Sequence, residues 1–241
     1  MKNILLILLL LVSSVYAYDT RLDNYKNGKI LYEKALSNDV DSAFDLGLIY
    51  DENIKDYKKA DYWYQKAYEL GSVDAAFNIG LMYATLKQYD KSINWYKKSI
   101  NRGDKGTFLN LGSVYKKLHQ YDDAIFWYKK AYNMGNIRAL HSLGLLYKND
   151  LNNLIEAIKW YKKASKGGYA DSYKNLALVN LEQGKKIKGA SWYIALIDIK
   201  YSKQKVIKYL KTKWKLTDEE LKKAYKLQLT LDIPKHYKGG I

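Results

Sequence analysis

The sequence predicts an all-α fold, a right-handed α-solenoid of stacked helix-turn-helix repeats that ends in a C-terminal capping helical segment. Two observations predict it: tryptophans recur at steps of 32, 32, 33 and 32 residues, and glycines recur at nearly the same step. The tryptophans are Trp63, Trp95, Trp127, Trp160 and Trp192, and the glycines are Gly47, Gly80, Gly112 and Gly144. A period of this length indicates a supersecondary unit that is repeated along the chain.

Each period contains two stripes of apolar and small residues at i, i+3, i+4 and i+7, which is the spacing of one helix face. In the first complete period the stripes are Ala43, Leu46, Gly47 and Tyr50, then Ala60, Trp63, Tyr64 and Ala67. We expect the polar residues 51–56 between them to form a connector. One helical hairpin cannot bury both stripes, so consecutive units must stack.

Glycines serve two predicted roles. Those that follow each second helix are expected to take the left-handed conformation that ends a helix; they are Gly71, Gly103, Gly135 and Gly168. A glycine inside a helix costs about 1 kcal/mol relative to alanine, so the repeat glycines are expected where a neighbouring helix comes too close for a side chain. The large Trp or Tyr of the second helix would fill the space beside that contact, and Trp127→Ala should cost about 3–5 kcal/mol.

The recurring L-G-x-x-Y and W-Y-x-K-A motifs, from about residue 28 to 200, resemble the Sel-one-like repeat (SLR) family of the tetratricopeptide (TPR) superfamily, in its exported bacterial type. The chain departs from Sel-one-like units in its short connectors, and from TPR units in lacking a proline after the second helix. The resemblance implies a scaffold that binds a protein or peptide on the concave face lined by the first helices.

The N-terminal residues 1–17 read as a signal peptide. Lys2 precedes an apolar run over 4–12, and Val15-x-Ala17 predicts cleavage after Ala17. We therefore expect an exported protein, periplasmic or secreted, with no stable membrane insertion after cleavage. The alternative is an uncleaved N-terminal anchor.

The remaining chain is predicted to contain five to six repeats over 18–200, capping helices over 201–233 and a loose tail over 234–241. Thr217 and Glu220 have the spacing of a capping box at the start of one of these last helices. A lysine-rich terminal segment suits a repeat array, because the last unit needs a polar outer face.

The charge and the cysteine content limit the kinds of partner and site that the chain can have. The net charge is +16, but only three of the 41 basic residues are arginine, the residue that recognises phosphates and bases with bidentate geometry. The composition therefore does not predict a nucleic-acid partner. It favours a solvated lysine surface, with weak attraction to an acidic partner or to the cell envelope as the alternative. The absence of cysteine excludes disulfides and cysteine-based metal sites.

No catalytic, cofactor-binding or metal site is predicted. The three histidines share no metal-ligand spacing and are expected to be surface or groove residues. Ser113 and Ser202 begin S-x-x-K sequences without the companion elements of β-lactam enzymes. A β-lactam-hydrolysing or penicillin-binding enzyme stays as the alternative function, although the relatives of that type contain the cysteines that this chain lacks.

A polar ladder is the predicted partner-binding site. Its members stand two residues before each repeat glycine, or before Ala177, which takes the place of the glycine in the last repeat. They are Asp45, Asn78, Asn110, Ser142 and Asn175. The alternative is that they only solvate the helices. Leucine follows the glycine in most repeats, which suggests apolar pockets, and lysine rows are expected to favour acidic partners. The rows are Lys97, Lys98, Lys129, Lys130, Lys162 and Lys163.

Overall fold

The computed structural model describes residues 18–240, which form thirteen α-helices and no β-strand. The all-α prediction is therefore confirmed, and neighbouring helices pack in the manner of a repeat solenoid. The predicted signal peptide, residues 1–17, lies outside the described residues. By its contacts the chain divides into two compact units, residues 1–118 and 119–241.

The first unit begins with a short 3-10 helix and continues with six α-helices. The 3-10 helix is Thr20–Asn24, and the α-helices are α1 (Gly28–Leu36), α2 (Val40–Leu48), α3 (Tyr57–Glu69), α4 (Ala75–Thr85), α5 (Tyr89–Asn101) and α6 (Thr107–Lys117). Each helix packs against the next, and α4 also contacts α6.

The second unit contains seven α-helices. They are α7 (Tyr121–Asn133), α8 (Arg138–Asn149), α9 (Leu154–Lys166), α10 (Ala170–Glu182), α11 (Lys186–Ile194), α12 (Lys203–Lys213) and α13 (Asp218–Gln228). Helices α7 to α11 pack in chain order, and α11 also contacts α13.

The two predicted stripes form the interior of the first unit. Ala43, Leu46 and Tyr50 of the first stripe are at most 1% exposed, as are all four members of the second. The stripes of α2 and α3 face each other, since these two helices pack together. Helical spacing alone therefore identified the buried faces correctly.

The predicted connector over 51–56 is largely helical, which corrects the sequence-based expectation. Residues Ile49–Ile54 form a π-helix that continues α2, and Lys55 ends it with a φ of +62°. A π-turn takes up an extra residue without leaving the helix. Tyr50 is held in the core within this turn, and Asp56 then caps α3 by accepting a hydrogen bond from the Lys59 N–H (3.2 Å).

Glycines end the second helices as predicted. Gly71 has a φ of +107°, and the following Ser72 N–H donates to the Ala67 carbonyl at 2.9 Å. Gly135 has a φ of +90°, with the Asn136 N–H donating to the Ala131 carbonyl at 3.0 Å. This is the Schellman arrangement, which satisfies carbonyls that have no partner within the helix.

The C-terminal helices cover the last repeat as expected. The Thr217 hydroxyl accepts from the Glu220 N–H (3.2 Å), and the Glu220 carboxylate accepts from the Thr217 N–H (2.9 Å), which confirms the capping box. Leu221 and Ala224 of α13 are buried, consistent with the contact of α13 with α11.

The tail beyond residue 233 is docked rather than loose. In the amide orientation that satisfies both groups, Gln228 accepts from the Tyr237 N–H (3.2 Å) and donates to the Tyr237 carbonyl (3.1 Å). His236 donates through Nε2 to the Leu231 carbonyl (2.7 Å), and Ile233 is 8% exposed. The buried amide of Gln228 would otherwise lack partners, which is why the tail is held.

Candidate functional site

A groove of about 260 Å³ lies between α4 and α6 in the first unit. Its lining residues are Leu81, Ala84 and Thr85 of α4, Tyr89 and Tyr96 of α5, and Asn110, Ser113, Val114 and Lys117 of α6. We call this the α4–α6 groove. Most of its lining is apolar, and Lys117 is its only formally charged member.

Helical spacing explains why these side chains share the groove. On α4 they stand at i, i+3 and i+4, and on α6 at i, i+3, i+4 and i+7, so each set occupies one face. The opposite sides of the helices carry core residues such as Ile79 and Leu111, both fully buried. Leu81, by contrast, is 45% exposed and available to a ligand.

The floor of the groove depends on Gly80. A Cβ at Gly80 would lie 2.5 Å from Cδ1 of Tyr96, so only glycine lets this ring pack directly on α4. Tyr96 is 1% exposed, and burial raises its pKa to about 12, so the ring is neutral at physiological pH. Ser92 ties the same helices together by donating to the Gly80 carbonyl at 2.7 Å.

The same contact recurs at two other repeats. A Cβ at Gly47 would lie 2.3 Å from Tyr64, and one at Gly144 would lie 2.4 Å from Tyr161. At these three repeats the glycine is therefore required because a close neighbour excludes a side chain, as expected. The neighbour is the tyrosine ring of the second helix, which decides between the two predicted side chains, tryptophan and tyrosine.

The polar ladder is only partly gathered at the groove. Asn110 lines it, together with Leu81 from the predicted apolar set. Asp45 is exposed and Asn78 partly exposed in the same unit, but neither lines the groove. In the second unit, Ser142 and Asn175 are partly exposed. Within residues 18–240 the amide of Asn110 has no hydrogen-bond partner of its own, which leaves it free for a ligand.

The repeat tryptophans are buried with one exception. Trp63, Trp95, Trp160 and Trp192 are between 0% and 9% exposed, whereas Trp127 is only partly buried. Trp127 lies on α7, the first helix of its unit, which within that unit packs mainly against α8. Trp127 is thus less deeply buried than the other repeat tryptophans, and its role in the core stays a prediction.

The lysine three residues after each of the first four repeat tryptophans has a structural role that the sequence reading missed. The Lys98 ammonium lies 3.7 Å from the Trp95 ring centroid, a cation–π contact. The same pairing occurs at Trp63–Lys66 (5.6 Å), Trp127–Lys130 (5.1 Å) and Trp160–Lys163 (4.7 Å). The i, i+3 spacing was the signal, because such residues are neighbours on a helix.

His141 contradicts the expectation of a surface or groove histidine. It is 9% exposed on α8, and its Nδ1 is 2.9 Å from the Ser172 hydroxyl of α10. Burial lowers the pKa of His141 to about 4, so the imidazole is neutral in the folded protein at physiological pH. His119 is exposed beside Tyr121. No group of His, Asp and Glu side chains in residues 18–240 could hold a metal ion.

Both S-x-x-K serines are engaged by their own helices. The Ser113 hydroxyl donates to the Leu109 carbonyl one turn earlier (3.0 Å). The Ser202 hydroxyl accepts from the Lys205 N–H (3.4 Å) and caps α12. These contacts have an ordinary structural explanation, because serine commonly bonds backbone groups within or at the start of a helix.

Comparison with protein families identifies the repeats. The Sel1 repeat model matches residues 40–72 and 137–169, and the tetratricopeptide repeat model matches residues 73–102 and 106–134. The chain contains Sel1 repeats and tetratricopeptide repeats. The Sel1 matches begin at α2 and α8, and the tetratricopeptide matches cover α4 to α7, so both repeat types are present. Repeat arrays of this kind present extended surfaces on which they bind other proteins.

Several solved structures share the fold. A protective antigen of uropathogenic Escherichia coli strains with an SLR fold has a TM-score of 0.58 at 23% identity, over 85% of this chain and 48% of that one. The chain thus spans about half the length of the antigen. A MamA protein has a TM-score of 0.53 at 19% identity, over 74% and 96% of the two chains. MamA from Desulfovibrio magneticus RS-1 has a TM-score of 0.52 at 16% identity, over 70% of this chain and 93% of that one.

No curated protein sequence matches the chain. Among residues 18–240, no helix has both the length and the apolar character needed to cross a membrane.

Proposed function

We propose that this protein is an exported scaffold that binds an extended segment of a partner protein in the α4–α6 groove and catalyses no reaction. The observation that carries the proposal is the pairing of an unpartnered amide, Asn110, with an exposed apolar wall at Leu81. Peptide recognition in grooves uses this combination, in which apolar pockets select side chains and a few polar groups fix the backbone.

Each part of the groove has a distinct role in this proposal. Leu81 and Val114 would contact a bulky apolar side chain of the partner. The Asn110 amide would both donate to and accept from the backbone of the bound segment, because it carries both kinds of group. Lys117 would favour an acidic residue next to the apolar one.

The absence of catalysis is also a proposal, and the environment of Ser113 supports it. A serine nucleophile needs an adjacent base to take its proton, whereas the Ser113 hydroxyl donates to the Leu109 carbonyl. Turnover of nitrocefin by the purified protein, lost in Ser113→Ala, would contradict this part of the proposal and support the β-lactam enzyme instead.

Export is proposed from the sequence of residues 1–17. We expect the mature protein to begin at Tyr18 when the gene is expressed in a bacterium with its leader intact. N-terminal sequencing of the product in the periplasmic fraction or the medium tests this. A product that keeps Met1 and stays with the membrane fraction would favour the uncleaved anchor.

Peptide display on the purified protein tests the groove. We expect it to enrich peptides with one bulky apolar residue, and Asn110→Ala and Leu81→Ser should each weaken their binding. Asn78→Ala and Ile30→Ser are matched controls in the same unit, since Asn78 is a ladder member outside the groove and Ile30 is 50% exposed on α1. Equal binding by groove and control variants would refute the groove assignment.

A further inference from the structure

A second groove, of about 400 Å³, lies in the second unit between α9, α11 and the chain that follows α13. It is lined by Lys162, Lys163, Ser165 and Lys166 of α9, Lys188 and Trp192 of α11, and Thr230, Leu231 and Asp232 after α13. We call it the basic groove. Four ammonium groups border it, against the single carboxylate of Asp232.

Most of this positive charge is unpaired. Lys166 forms an ion pair with Asp232 at 2.9 Å, whereas Lys162, Lys163 and Lys188 have no carboxylate within 4 Å among residues 18–240. Lys163 instead lies over the Trp160 ring, and all four side chains are exposed. Like charges that border one groove repel each other, and a bound anion would relieve that repulsion.

The floor of the basic groove is apolar. Trp192 is 4% exposed beneath the lysines, and Leu231 is partly buried at the other wall. A ligand that fits must therefore combine negative charge with an apolar group. The lysines offer mobile point charges rather than the planar fork that suits bidentate phosphate binding. This chemistry favours carboxylates beside an apolar side chain over a bare phosphate.

The chain itself provides an example of such a ligand. Leu231 and Asp232 are an apolar residue followed by an acidic one in a segment without helix, and the Asp232 carboxylate already pairs with Lys166. This ion pair is weak, because its two side chains are 69% and 77% exposed. A ligand can therefore compete with Asp232 for Lys166 at little cost.

We propose that the basic groove is a binding site for an acidic segment of a partner protein, in which glutamate or aspartate residues flank an apolar residue. The carboxylates would pair with Lys162, Lys166 and Lys188, and the apolar side chain would lie against Trp192 and Leu231. The site is separate from the α4–α6 groove, because every residue of it belongs to the second unit.

Fluorescence anisotropy with a labelled peptide tests the proposal, using a short peptide in which glutamates flank one leucine. Lys162→Gln with Lys188→Gln should weaken binding about tenfold, the loss expected for two surface ion pairs. Lys203→Gln with Lys208→Gln removes the same charge from exposed positions on α12 and should change binding less than about twofold. Equal weakening by the two pairs would overturn the proposal.

A gain of affinity provides a second, independent readout. Asp232→Asn removes the internal competitor and should tighten peptide binding about threefold, while Asp198→Asn, at another exposed carboxylate, should not. Far-UV circular dichroism should show all variants folded. No gain in Asp232→Asn would count against the site.

Two further probes test the ligand class. The probes are inorganic phosphate and vesicles of anionic phospholipid. Each should weaken peptide binding no more than general charge screening at the same ionic strength does. Displacement of the peptide by either probe at low ionic strength, lost in the Lys162 and Lys188 variant, would overturn the assignment to an acidic peptide. It would reassign the groove to phosphate groups.

Discussion

Gly80 and Tyr96 fit together so closely that a Cβ on the glycine would lie 2.5 Å from Cδ1 of the ring. The two residues are sixteen apart in sequence and hold the first and second helices of one repeat together. The contact also places the tyrosine ring at the floor of the α4–α6 groove. The same close packing therefore stabilises the repeat and shapes the surface that we propose binds a partner.

Gly80→Ala should destabilise the first unit by about 1–3 kcal/mol, because the methyl group would overpack against the ring. This is opposite to the gain of about 1 kcal/mol that alanine gives in an open helix. Denaturant unfolding measures the change. In a Tyr96→Leu background the same substitution should be less destabilising, and equal costs in both backgrounds would show that the ring is not the obstacle.

Trp63→Ala should cost about 3–5 kcal/mol, because the side chain is fully buried. Trp127→Ala should cost about half as much or less, since that ring is only partly buried and leaves a smaller cavity. Thermal or denaturant unfolding measures the loss of stability in both variants, and each variant serves as the control for the other. Equal destabilisation would mean that Trp127 is a core residue after all.

Lys98→Gln should destabilise by about 0.5–1 kcal/mol, because the ammonium lies 3.7 Å from the Trp95 ring centroid. Lys97→Gln is the matched control: it removes the same charge one residue earlier, where the side chain is exposed. The difference in unfolding free energy between the variants isolates the ring contact. No difference would remove the structural role assigned to the repeated lysine.

Acidification should destabilise the protein between about pH 6.5 and pH 4, owing to His141. Its pKa falls from 6.5 to about 4 on folding, so in this window the unfolded chain binds a proton that the folded protein does not. Stability therefore rises with pH through the window and is fully present above it. The shift corresponds to up to about 3 kcal/mol.

Unfolding free energies measured across that range test the assignment. His141→Gln should flatten the slope between pH 6.5 and pH 4, whatever it does to the stability at pH 7. His119→Gln, at an exposed histidine, should leave the slope in place. A slope unchanged in His141→Gln would mean that other groups cause the acid sensitivity.

The sequence by itself determined the buried stripes of the repeat helices and several of the helix ends. Ala60, Trp63 and Tyr64 share a face because of helical geometry. Gly71 ends a helix because it adopts a positive φ without strain, and Thr217 caps another through a residue three positions away. Each of these features depends on interactions within a few residues, so a one-dimensional pattern contains them.

Tertiary structure alone decided which of these residues share a site and how deeply each is buried. His141 bonds Ser172 across 31 positions, and Asn110 shares a groove with Leu81 while its sister Asn78 does not. Trp127 has the same motif as Trp63 but not the same burial. Burial and site composition depend on which distant helix packs alongside, and a repeated motif does not specify that.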